Sequence, residues 1–417
     1  MGKIRIEGKH TLTGTIRISG AKNSAVALVP ASLLAEDTVT IDNIPNISDI
    51  NALNEILEYL GAEVTRKDET MVINPKPVEN KEIPEEQAKK LRASYYFMGA
   101  LLGKYKKAVM YFPGGCSIGA RPIDLHLKGF EALGAKIKTE ENKYIIEAEE
   151  LNGTNIYLDF ASVGATINIM LAATKANGIT IIENAAKEPE IVNVATFLNQ
   201  MGAKITGAGT SEIKIEGVKK LHGCFTEVIP DRIEAGTYII AGALVGENLK
   251  IDNIIPDHIE SLLLKLKEMK VNMKIEKDSI TISKTDKLKK INIQTQVFPG
   301  FPTDLQQPLT TLLTQCIGTS ILEENIYENR FQNVPYLDKM GADIKIDDKI
   351  LIINGPTELK GCEVEATDLR AGACLVLAGL IAEGITTITN VKYILRGYEN
   401  IIQKLTNVGA HISLIDE

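Results

Sequence analysis

Ile47-Ser48-Asp49-Ile50-Asn51-Ala52-Leu53-Asn54-Glu55-Ile56-Leu57-Glu58-Tyr59-Leu60-Gly61-Ala62 is the stretch from which the architecture can be read. Ile47, Ile50, Leu53, Ile56, Leu57 and Leu60 recur at the spacing of one helix face. Ser48 or Asp49 stands where a helix cap belongs, and Gly61 supplies the left-handed residue that ends a helix. The closing tripeptide then returns as Leu133-Gly134-Ala135, Met201-Gly202-Ala203, Met269-Lys270-Val271, Met340-Gly341-Ala342 and Val408-Gly409-Ala410. The middle residues, at 61, 134, 202, 270, 341 and 409, stand 68 to 73 positions apart. That regularity marks six copies of one unit.

Other copies carry the same pattern. Ile191, Val194, Phe197, Leu198 and Met201 form one apolar face, and Tyr398, Ile401, Ile402, Leu405 and Val408 another. A hairpin follows each helix, clearest in the alternation of Ile344 to Ile352 around a polar turn. Upstream lie a strand and a second helix rich in small residues, such as Ala93 to Leu102, Ala165 to Ala176, Ala235 to Leu244 and Ala371 to Ala382. Helices apolar nearly all round are buried, and small side chains let them pack closely. The first 20 residues resemble the hairpin tail of the other copies, so they supply the missing end of the sixth. The expected fold is α/β (α+β): two inside-out α/β barrel lobes, each of three similar helix-strand-helix-hairpin units, with small-residue helices buried and sheets outside. One lobe spans 21–229 and the other 1–20 plus 230–417, and a cleft between lobes is the default ligand site.

Composition narrows the function. The 417 residues are 44% apolar and 24% charged, an ordinary globular balance, and the net charge of -8 disfavours nucleic acid and membrane surfaces as partners. The N-terminus has no apolar signal region, and the longest apolar run, Ala373 to Ala382, is too short to span a bilayer. Five scattered cysteines suggest a reducing, cytoplasmic compartment without disulfides. The five histidines, His10, His126, His222, His258 and His411, are equally dispersed, which argues against a His-based metal site.

Polar residues collect where each hairpin tail enters a buried helix. The junctions are Gly20-Ala21-Lys22-Asn23-Ser24, Leu91-Arg92-Ala93-Ser94, Ala161-Ser162-Val163-Gly164, Pro230-Asp231-Arg232, Pro302-Thr303-Asp304 and Thr367-Asp368-Leu369-Arg370. Any one of them reads as ordinary N-capping. Six aligned copies at helix N-termini, with Lys22, Arg92 and Arg370 adding full charge, read as an anion site. The second copy departs from its siblings in Pro113-Gly114-Gly115-Cys116-Ser117-Ile118-Gly119-Ala120-Arg121-Pro122-Ile123-Asp124-Leu125-His126. Glycines around a cysteine suit a loop that presents a thiol, and Arg121 would lower its pKa. The other four cysteines, Cys224, Cys316, Cys362 and Cys374, read as small buried hydrophobes. Gly99 to Tyr105 fails as a phosphate-binding loop, one residue short and without Ser or Thr.

These motifs, with Glu183 to Glu190 and Glu328-Asn329-Arg330-Phe331, resemble the UDP-N-acetylglucosamine 1-carboxyvinyltransferase family of enolpyruvyl transferases, in order and from end to end. The resemblance implies transfer of the enolpyruvyl group of phosphoenolpyruvate to the 3-hydroxyl of UDP-N-acetylglucosamine, the first committed step of peptidoglycan synthesis. It implies no metal and no organic cofactor. It makes Cys116 the catalytic acid and, from the chemistry, Asp304 the base. Lys22, Asn23, Arg121 and Arg396 match phosphoenolpyruvate ligands. Arg92, Arg121, Pro122, Ile123, Asp124, Leu125, Ser162, Val163, Gly164, Asp304 and Ile326 match sugar-nucleotide contacts. Asp368, Leu369 and Arg370 match a region that tightens on closure. Phe160 stands where some members carry Lys, so an ionic contact there is lost. The rival assignments are an enolpyruvyl transferase acting on shikimate 3-phosphate, without this cysteine loop, and an inactive paralogue sensing nucleotide sugars.

Overall fold

The computed structural model describes residues 2–112 and 123–415. They divide into two compact units, one within residues 20–229 and the other comprising 2–19 with 230–415. The chain passes between units twice, and each passage is tied within its own unit. Ala21 N donates to Ile229 O at 2.7 Å, and Asp231 N donates to Ser19 O at 2.9 Å.

Each unit has three inner helices: Lys22–Ala31, Tyr96–Tyr105 and Val163–Ala173 in the first, Arg232–Val245, Gln306–Leu313 and Leu369–Ile381 in the second. Their residues are buried almost without exception, as uniformly apolar helices must be. In the first unit Tyr96–Tyr105 packs against both companions; in the second all three pack on one another. Small residues permit this approach. A Cβ placed on Gly99 would lie 2.4 Å from the Asn168 carbonyl oxygen, so only glycine fits that crossing.

Amphipathic helices and sheets wrap the inner helices. The amphipathic helices are Ser48–Leu60, Asp124–Ala132, Pro189–Gln200, Glu260–Glu268, Val334–Lys339 and Ile401–Asn407. A left-handed residue follows each, directly after Leu60 and one residue further on in the other five: Gly61, Gly134, Gly202, Gly341 and Gly409 have φ between 100° and 104°, and Lys270 has 67°. The copy without glycine therefore keeps the conformation at a non-glycine position.

Every copy forms its own sheet. In five of them a short strand from the tail of another copy runs parallel along the edge: Phe225–Glu227 beside Val39–Asp42, Asn155–Tyr157 beside Ile179–Glu183, Thr15–Arg17 beside Leu249–Asp252, Asn292–Gln294 beside Gly318–Glu323, and Glu363–Glu365 beside Ile385–Thr389. The sheet of Lys107–Tyr111, Lys136–Glu140 and Lys143–Glu147 has three strands among the described residues. Lys3–Glu7 lies antiparallel between Ile385–Thr389 and His411–Ile415, with Ile4 opposite Ile388 and Ile6 opposite Ile412. The N-terminal strand thus completes the sixth hairpin. Among the described residues no helix is long and apolar enough to cross a membrane.

Several local expectations need correction. Neither Ser48 nor Asp49 caps its helix; Ile47 occupies the cap position and Asp49 turns to Lys22. The last amphipathic helix is shorter than its pattern, because Tyr398 precedes a left-handed Asn400 with φ 50° and Ile402 is only half-buried. Two inner helices open with a tight 3-10 turn, Arg92–Tyr95 and Thr303–Leu305. Cys316 and Cys374 are buried, whereas Cys224 and Cys362 are only half-buried. His10 and His411, from opposite ends of the sequence, stack with ring centroids 3.5 Å apart.

Candidate functional site

Within the first unit, Lys22 and Asn23 open the helix Lys22–Ala31, whose first turn no side chain caps. Lys22 Nζ lies 2.7 Å from Asp49 Oδ2, and both side chains are nearly buried. Behind them Ser24 Oγ donates to Asn193 Oδ1, and Asn193 Nδ2 donates to Glu227 O at 3.1 Å, which fixes this helix start to its neighbours.

Arg92 begins its 3-10 turn beside His126. His126 is buried, and that burial, helped by the positive charge of Arg92, pushes its imidazole down to about 3. Its tautomer follows from the hydrogen bonds. Gly99 N donates to Asn168 Oδ1 at 2.9 Å, so Asn168 Nδ2 is the donor toward Tyr95 O at 3.1 Å and toward His126 Nδ1 at 2.8 Å. Nδ1 accepts, and the proton of the neutral ring sits on Nε2. That edge faces Gly164, where a Cβ would meet His126 Cε1 and Tyr95 Oη at 2.9 Å each.

Ser162 caps Val163–Ala173 by accepting from Ala165 N at 3.3 Å, placing Val163 and Gly164 in the first turn. Ile123 is the buried cap position of Asp124–Ala132; Asp124 is exposed and Leu125 half-buried. Ser162, Val163, Gly164 and Arg92 are therefore gathered around His126. Phe160 is 49% exposed, with no charge to offer. Cys116, Arg121 and Pro122 lie outside the described residues.

The second unit gathers a charged centre. Asp304 Oδ1 accepts from Arg330 Nη2 at 2.6 Å and Oδ2 from Arg370 Nη2 at 3.1 Å. Both guanidiniums are buried, while the Asp304 side chain remains 28% accessible. Burial alone would raise the Asp304 carboxyl, but Arg370 and Arg330 together hold it well below the usual carboxylate range. Asp368 caps the helix Leu369–Ile381, accepting from Arg370 N at 2.8 Å and Ala371 N at 3.0 Å. Arg370 also lies over the Tyr398 ring, 5.4 Å from its centroid. Leu369 packs against Gly397, next to the half-buried Arg396.

Glu324 organises the loop that carries Ile326. Its carboxylate accepts from Ile326 N at 2.8 Å, Tyr327 N at 3.2 Å, Thr295 Oγ1 at 2.9 Å and Thr303 Oγ1 at 2.9 Å, tying the loop to the residue before Asp304. Sequence reasoning assigned no role to Glu324, Asn168 or Arg330 and read Asp49 only as a helix-cap candidate. Arg330 stood in a recognised motif; Glu324 and Asn168 gave no signal beyond being polar residues beside apolar runs.

The EPSP synthase (3-phosphoshikimate 1-carboxyvinyltransferase) profile matches residues 6–405. UDP-N-acetylglucosamine 1-carboxyvinyltransferase 2 of Bacillus cereus is 55% identical over 413 residues, covering 99% of this chain and 96% of that protein. The protein of the same name from Geobacillus kaustophilus is 54% identical over 412 residues, with the same coverage. Among solved structures, the enolpyruvyl transferase NikO from Streptomyces tendae superposes with a TM-score of 0.90 at 27% identity, over 99% of both chains. EPSP synthase from Acinetobacter baumannii shares the fold, with a TM-score of 0.77 at 20% identity over the full length of both. With profile, sequence and fold in agreement over nearly the whole length, the chain belongs to the EPSP synthase family and is a 1-carboxyvinyl (enolpyruvyl) transferase.

Proposed function

We propose that this enzyme transfers the enolpyruvyl group of phosphoenolpyruvate to the 3-hydroxyl of UDP-N-acetylglucosamine and releases phosphate, in the cytoplasm, as the first committed step of peptidoglycan synthesis. The observation that carries the proposal is 55% identity across 99% of the chain to proteins named for that acceptor, against 20% to an EPSP synthase.

Addition protonates C3 of phosphoenolpyruvate, joins the sugar oxygen to C2 and moves the hydroxyl proton to a base. Elimination then breaks the bond from C2 to the phosphate oxygen and removes a proton from C3, restoring the double bond. Cys116 is the proposed acid and Asp304 the proposed base. A carboxylate clamped by Arg330 and Arg370 is a weak base, but the hydroxyl becomes strongly acidic as its oxygen bonds to C2, so a weak acceptor suffices.

Lys22, Asn23, Arg121 and Arg396 are assigned to phosphoenolpyruvate. The uncapped first turn of Lys22–Ala31 and the Lys22 ammonium suit a phosphate. Arg92, Arg121 to Leu125, Ser162 to Gly164, Asp304 and Ile326 are assigned to the sugar nucleotide, and Asp368 to Arg370 to supporting the base. Gly164 lets the His126 and Tyr95 side chains lie against the start of Val163–Ala173, because a Cβ there would meet both at 2.9 Å.

Phosphate release measured with phosphoenolpyruvate and either acceptor tests the assignment. Release with UDP-N-acetylglucosamine and none with shikimate 3-phosphate is expected. The reverse would make the enzyme an EPSP synthase, and no release with either would leave the sensor.

A further inference from the structure

We infer that Glu7, His10 and His411 form a surface site for a divalent transition-metal ion, with zinc the best fit. One ligand atom from each lies within 4.8 Å of the other two. Glu7 Oε1 is 3.5 Å from His10 Nε2, and Glu7 Oε2 is 3.8 Å from His411 Nδ1. A tetrahedral zinc with bonds of about 2.0–2.1 Å needs its ligand atoms about 3.3 Å apart. Closing that difference requires the two imidazoles, stacked with centroids 3.5 Å apart, to tilt out of their near-parallel arrangement, a movement open to side chains that are exposed (Glu7, His411) or half-buried (His10). Two imidazoles and one carboxylate select zinc, nickel or copper over magnesium and calcium, which want oxygen alone.

The backbone holds this arrangement in place. Glu7 is paired with His411 in the strand register. The turn between Glu7 and His10 is fastened where Gly8 N donates to Gly384 O at 3.1 Å and Lys9 N to Leu380 O at 2.8 Å. Leu380 belongs to the last turn of Leu369–Ile381, where the helix dipole favours a cation. Lys9, in the same turn, has its Nζ 3.8 Å from Glu383 Oε2. The proposed base cluster sits at the other end of that 13-residue helix, about 20 Å away at 1.5 Å per residue. The ion would therefore act on stability, joining the N-terminal strand to the last strand, and leave the transfer reaction alone.

The test uses the untagged full chain with its accessible thiols alkylated, so that Cys116 contributes no ligand. Dialysis against zinc chloride is expected to load one ion per chain and raise the thermal midpoint. His10→Ala/His411→Ala should bind zinc at least about 10–100-fold more weakly, the range seen when even outer partners of metal ligands are removed. It should also lose the thermal shift, while the same variant without alkylation keeps wild-type phosphate release. Absence of zinc uptake by the wild type, or equal uptake by the double variant, overturns the site. Should the double variant not fold, Glu7→Gln decides, since unchanged affinity in that variant also overturns it.

Discussion

Arg370 Nη2 meets Asp304 Oδ2 at 3.1 Å, from a helix start that Asp368 caps. Arg330 holds the other oxygen at 2.6 Å. Two buried cations thus fix one partly accessible carboxylate in its ionised form and set the direction of its free lone pairs.

Asp304→Asn is expected to leave both substrates able to bind and to lower turnover by about 10²-fold or more, the scale of a lost general base. Steady-state kinetics check this; a raised Michaelis constant with unchanged turnover would make Asp304 a binding residue. The same substitution leaves Arg330 and Arg370 buried without their counter-charge, so a lower thermal midpoint should accompany it.

Cys116→Ser should retain sugar-nucleotide binding and lose most turnover, while Cys116→Asp retains part of it, because a carboxyl can also protonate carbon. A small phosphonate epoxide shaped like phosphoenolpyruvate should alkylate Cys116 first. Burial pushes the thiols of Cys224 and Cys374 up to about 11 and that of Cys316 up to about 12, leaving little thiolate near neutral pH. Peptide mapping reads the outcome, and equal labelling of Cys224 or Cys374 would count against the assignment.

Lys22 and Asp49 supply a third test. Asp49 approaches Lys22 Nζ to 2.7 Å, and Asp49→Asn removes the carboxylate that keeps the ammonium oriented. The Michaelis constant for phosphoenolpyruvate should rise by about tenfold, roughly 1.4 kcal/mol, with a smaller change in turnover. Asp49→Glu, which keeps the charge, should recover part of the loss. Identical constants in both variants would show that Asp49 does not position Lys22.

The repeat was legible because a helix ending in a left-handed residue leaves a local mark, and five of six copies fill that position with glycine. Junction residues were legible for a related reason: the start of a buried helix tolerates few polar residues unless they cap or bind. Partners across the fold were not. Asp49 looked like a cap until the structure turned it toward Lys22, and Asn168 sat in an apolar run with no sign that it faces His126. His10 and His411 appeared dispersed because only the antiparallel pairing of the first and last strands brings them together. Pairwise contacts made by tertiary packing leave no periodicity to read.

His126 gives the fourth test. Asn168 Nδ2 donates to its Nδ1, and burial with the charge of Arg92 lowers its pKa to about 3, so the folded protein holds the ring neutral. An unfolded histidine titrates near about 6.5. Between those values the unfolded chain binds one proton more than the folded one, so stability rises with pH through that window. The contribution is fully present above about pH 6.5 and is lost as pH falls toward about 3. One proton corresponds to a slope of about 1.4 kcal/mol per pH unit. His126→Gln removes the titrating group while keeping an acceptor for the Asn168 amide. Denaturant midpoints measured from pH 4 to 6 should therefore show a slope about one proton shallower in the variant. Equal slopes in the two proteins would mean that His126 is protonated in the folded state, and the neutral Nε2–H assigned beside Gly164 would have to be withdrawn.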